Sequence, residues 1–156
     1  MNPKILSHKT RIDNLFKRVG TIDPADQGEW SKYLCVLTAG FIEESLRVLL
    51  LEYAKTKSSP VIQRYVEKKV GYITNCKTER IVEVLNEFDV KWATKFEKEI
   101  KDNSPIDKEI RDSLDSIIAN RHQIAHGKHT GIGYVIVKNY YGYCVKAVEI
   151  LENTVN

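Results

Sequence analysis

Arg121, His122 and His126 stand together in the stretch "NRHQIAHG" (residues 120–127), with four residues between the arginine and the second histidine. An imidazole takes or gives a proton near neutral pH, so it can serve a nucleophile or a leaving group. A guanidinium binds phosphate through its planar fork and stabilises charge on a pentacoordinate transition state. Together they suit phosphodiester chemistry. RNA carries its own nucleophile in the 2′-OH, so such chemistry needs no metal. A second chemical reading is zinc, with His122 and His126 at i,i+4 and His129 nearby. Against it, the stretch lacks the Glu of H-E-x-x-H and has no cysteine close in sequence. No metal and no cofactor are expected. Structural roles are open as well: an arginine that ties two helices, a solvated His122, and a His126 favoured by the helix dipole.

The element that positions these groups is the segment "PIDKEIRDSLDSIIANRHQIAHG". It starts with Pro and acids and ends at Gly127, as a helix does. Ile106, Ile110, Leu114, Ile117 and Ile118 define its core face at about 100° per residue. Arg121 follows Ile117 by four and falls near the middle of that face. His122 follows Ile118 by four, toward one edge, and His126 lies on the same flank. An arginine on an apolar stripe needs a buried carboxylate, water at the helix end, or a second protein surface.

The candidate carboxylates, Glu43 and Glu44, lie in the longest apolar run, "EWSKYLCVLTAGFIEESLRVLLLEYAK". It is apolar on almost all sides and is predicted to be the central, most buried helix. By helical angle Glu44 sits with Tyr33, Leu37, Val48 and Leu51, and Glu43 sits nearer Val36 and Leu50. Either can orient Arg121.

The remaining segments also read at helical period. Ile5, Ile12, Leu15, Phe16 and Val19 mark a first helix that stops at Gly20. Ser58 or Ser59 can cap a short helix from Pro60, with Val61, Ile62, Tyr65, Val66 and Val70 as its core stripe. Ile81, Val82, Leu85 and Phe88 mark another, and Trp92, Phe96 and Ile100 a further one. Tyr134–Val137 has the β-branched look of a strand. The three- and four-residue steps through Ile132, Val135, Ile136, Tyr140, Tyr143, Cys144, Ala147, Val148 and Leu151 predict a helix instead. Tyr140, Tyr141 and Tyr143 read as packing residues of that helix rather than base-stacking platforms.

The 156 residues suit one domain, 1–156, with a real core. A formal charge of +3 permits a nucleic-acid partner without demanding one. The three cysteines, Cys35, Cys76 and Cys144, show no C-x-x-C spacing and read as buried free thiols of a reducing compartment. The N-terminus lacks the apolar core of a signal peptide, and charges interrupt every apolar run well short of a membrane span. A cytoplasmic protein without a membrane partner is expected.

The stretch "IANRHQIAHG" resembles the HEPN superfamily, small helical domains marked by an Arg, four to six residues, and a His. The long run with Gly40 and Glu43 resembles the second helix of the ribonuclease-like RiboL-PSP branch. "SSPVIQRYVEKKV" and "IVEVLNEF" fall where that branch has them. The resemblance covers roughly residues 10–153. His122 is a departure, since relatives often carry Asn or Asp there. The helical periods above predict an all-α bundle with a small helical insertion around residues 60–100, and the resemblance makes it HEPN-like. The resemblance further implies a metal-independent endoribonuclease working as a homodimer, with Arg121 and His126 catalytic and His122 an additional candidate. Glu43, Glu44, Asn120 and Lys128 are expected to support the site or bind substrate. RNA is the implied partner. A neutralising antitoxin or another defence-system protein is a further possible one. A non-catalytic HEPN module that binds RNA, nucleotide or protein is the competing expectation.

Overall fold

The structure, a computed structural model, describes residues 1–106 and 108–155. Among the described residues there are seven helices and no strand: α1 (Pro3–Val19), α2 (Pro24–Lys57), α3 (Pro60–Val70), α4 (Thr78–Phe88), α5 (Val90–Asp102), α6 (Glu109–Ala125) and α7 (Tyr134–Val155). The all-α expectation holds. No described helix is long and apolar enough to cross a membrane.

Proline opens three of these helices, where its missing N–H costs nothing. Asn2 and Asp23 cap α1 and α2 by accepting from the N–H groups of Lys4 and Ala25, each at 2.9 Å. Asp89 alone separates α4 from α5. Its extended backbone donates to Leu85 O, and its carboxylate accepts from the Lys91 N–H at 2.8 Å.

The 34-residue α2 runs through the centre and packs against α1, α3, α6 and α7. Leu34, Cys35, Phe41, Ile42, Leu46 and Leu50 on it are fully buried. The α4–α5 pair joins the core through Ile81, Leu85 and Phe96, packing against α6 and α7. All three cysteines are buried and free. Tyr141 stacks on Phe16 at 4.7 Å and donates its hydroxyl to Asp13 at 2.8 Å, while Tyr143 donates to Glu109 at 2.8 Å. Two of the three tyrosines therefore brace α7 against neighbouring helices.

Three local expectations are corrected. The α3 stripe narrows to Val66 and Val70, one i,i+4 row, and Val61, Ile62 and Tyr65 are exposed. The start of α6 is Glu109, after a left-handed Lys108, so Ile106 lies outside the helix and is exposed. On α7 the leading stripe is Val137, Tyr141 and Cys144, leaving Val135 and Ile136 exposed and Ile132 buried ahead of the helix. On α3 and α7 the amphipathic pattern is wider than the neighbour it meets. Gly20 does stop α1, though with ordinary right-handed angles. It also leaves room for Tyr134, whose hydroxyl stands 2.6 Å from where a Cβ would be and would have to shift.

Candidate functional site

The C-terminal end of α6 is closed by a left-handed glycine. His126 is the C-cap, Gly127 has φ +66°, the Gly127 N–H donates to Ile124 O at 3.0 Å, and the Lys128 N–H donates to Gln123 O at 2.9 Å. That paired closure is the Schellman arrangement, and it requires a residue without a Cβ penalty at Gly127. It fixes where the chain leaves the helix, and so where His126 stands. The His122 and His126 rings meet edge to face with centroids 4.4 Å apart, and both are exposed.

Arg121 is half-buried. Its Nη1 donates to Asn75 Oδ1 at 3.2 Å, and no carboxylate pairs with it among the described residues. Asn75 belongs to the connector between α3 and α4. It adopts φ +54°, a left-handed conformation that Asn tolerates better than most residues. Its backbone N–H donates to Glu43 Oε1 at 2.8 Å, and Glu43 is buried, with 8 % exposure. Glu43 therefore reaches Arg121 through one intervening residue. Glu44 instead pairs with Arg47 at 2.5 Å, and the Arg47 Nη2 donates to Ile73 O at 3.4 Å. At the far end of the connector, the Thr78 N–H donates to Asp115 of α6 at 2.7 Å. The segment 73–78 is thus tied to α2 by Glu43 and Arg47, and to α6 by Arg121 and Asp115.

This arrangement leaves the guanidinium with a neutral acceptor. An amide oxygen orients Arg121 without cancelling its charge, so an anion can still claim the rest of the fork. Next to Asn75 in the chain, Cys76 is buried and its thiol is pushed up to about 12, first by burial and then by the nearby Glu43, against Arg80 and Arg47. It stays neutral at physiological pH.

The other expected residues are placed more plainly. Asn120 donates to Ser116 O within its own helix at 2.8 Å. Lys128 and His129 are exposed in the loop after α6. No group of three or more His, Cys, Asp or Glu side chains that could hold a metal gathers among the described residues. A groove of about 380 Å³ runs beside His122, lined by Asn75, Lys77, Ile118, Ala119, His122 and Gln123. Sequence reasoning missed Asn75, Lys77 and Asp115. An Asn in the polar stretch "GYITNCKT" is a signal for a left-handed turn residue. Its partnership with Arg121 joins positions 46 apart in the chain and leaves no local mark.

An all-helical bundle is the architecture of HEPN domains. The chain belongs to the RiboL-PSP-HEPN family, whose model matches residues 4–156. No curated protein matches it, and neither does any solved structure. Membership is consistent with a ribonuclease-like or nucleotide-binding function.

Proposed function

We propose that the protein is a metal-independent endoribonuclease whose site is completed by a second copy of the chain. The observation that supports this most is the half-buried Arg121, oriented by a neutral amide on the same helix end that carries two exposed imidazoles. Arg121 holds the scissile phosphate. His126 of one copy takes the proton from the 2′-OH, and the 2′-oxygen attacks phosphorus. The P–O5′ bond breaks, and the second copy's His126, or His122, gives a proton to the 5′-oxygen. The products are a 2′,3′-cyclic phosphate and a 5′-OH.

Homodimerisation is supported by exposed apolar groups on α2. Trp30 is 42 % and Tyr33 50 % exposed, their rings 6.0 Å apart, and Val36 is exposed as well. Exposed aromatic patches of this sort suit a two-fold contact. The setting proposed is toxin–antitoxin or antiphage defence.

The test uses wild type, Arg121→Ala and His126→Ala, expressed in a bacterium and purified. Growth arrest and RNA ends carrying a cyclic phosphate are expected for wild type alone, with EDTA without effect. Removing a transition-state charge donor typically costs about 10²–10³ in rate. Equal toxicity and cutting by both variants would overturn catalysis at this motif, and no cutting by wild type would leave a non-catalytic HEPN module that binds RNA, nucleotide or protein.

A further inference from the structure

The groove beside His122 is not used by the chemistry above. Its floor is apolar, formed by the buried Ile118 and the exposed Ala119. Its rim is polar and uncommitted. Among the described residues the Lys77 ammonium and the Gln123 amide have no hydrogen-bond partner, and neither does Asn75 Nδ2. The exposed His122 ring closes one side and meets the His126 ring edge to face.

These groups match the needs of a single unpaired nucleotide. A base lies its face on an apolar floor, and a side-chain amide offers one donor and one acceptor to the base edge. A lysine serves as a point charge for a flanking phosphate. A volume of about 380 Å³ is at the small end of ligand clefts, which run from about 300 to 1,000 Å³. That is room for one nucleotide.

Asn75 belongs to both places. Its Oδ1 holds Arg121 while its side chain lines the groove, so a nucleotide seated there adjoins the phosphate on Arg121. Resting on the ribonuclease reading, we infer that the groove is a recognition subsite for the unpaired nucleotide next to the scissile phosphate. Gln123 reads its base edge and Lys77 binds its flanking phosphate. The subsite makes the enzyme selective for the base at one position.

The probes are fluorescently labelled decamers of 2′-O-methyl A, C and U, which lack the nucleophile and so report binding without cleavage. With the full chain, the wild-type Kd is expected to differ by about tenfold between the best and worst decamer. Gln123→Ala brings the three within about twofold of one another. The isosteric Gln123→Glu, which loses the amide donors, reorders them. Lys77→Ala weakens all three alike and lowers the slope of log Kd against log salt by about 1. Lys77 is exposed, and circular dichroism melting of each variant confirms that the fold is kept. Equal wild-type affinities for the three decamers would overturn the subsite, as would wild-type binding by all three variants. Failure of the ribonuclease reading shows elsewhere, as undiminished cleavage by Arg121→Ala and His126→Ala.

Discussion

Arg121 and Asn75 meet through a single hydrogen bond of 3.2 Å, and the asparagine is itself pinned by the buried Glu43. The guanidinium is thereby aimed without being neutralised. Asn75→Gly keeps the left-handed backbone while removing the amide oxygen, and Asn75→Ala adds the strain of φ +54°. With RNA cleavage as the readout, both are expected to lower kcat by about tenfold, since one orienting contact is lost. Asn75→Ala alone also lowers stability, by about 1–2 kcal/mol in urea unfolding. Glu43→Gln, which keeps an acceptor for the Asn75 N–H, is expected to retain more activity than Glu43→Ala.

Gly127 is a second conformational requirement. With φ +66° and two hydrogen bonds depending on the turn, Gly127→Ala is expected to cost about 1–2 kcal/mol. For a chain of this size the melting temperature falls by about 3–6 °C. An added Cβ meets nothing within 4 Å, so the loss comes from backbone conformation rather than a clash. Gly127→Asn, which tolerates the left-handed region, recovers part of it.

The three thiols make an alkaline prediction. Burial pushes Cys35 and Cys76 up to about 12 from 9.0, and raises Cys144 as well. Folded pKa values above the unfolded ones mean that this stabilisation is complete below 9.0. It is lost as pH rises through 9 toward 12. Stability by urea titration should be flat on this account at neutral pH and decline above about pH 9. Native protein should give no reaction with a thiol reagent until it is unfolded.

His8 makes the opposite prediction on the acid side. Burial lowers its pKa from 6.5, helped by Arg11 and opposed by Glu44, and its ring packs edge to face on Phe41 at 5.6 Å. In the window just below 6.5 the unfolded chain binds more protons than the native one. Stability therefore rises with pH up to that value. His8→Gln is expected to flatten this part of the urea-midpoint profile.

The elements themselves were legible because helix periodicity, proline starts and glycine stops are local. Seven segments could be placed from them, along with the burial of α2 and the thiols. The cluster of Arg121, His122 and His126 was legible too, because its members share one helix end. Which apolar residues would find a neighbour was not. Val61, Ile62, Tyr65 and Val135 have the spacing of core residues, yet they face solvent, since packing partners come from other helices. The choice between Glu43 and Glu44 was likewise out of reach, because the tie to Arg121 runs through Asn75, a residue from a third segment. Composition and spacing determined an all-helical chain with a basic cluster at one helix terminus. The tertiary structure alone decided that the arginine answers to an amide rather than a carboxylate, since that depends on how a connector is fastened between two helices distant in sequence.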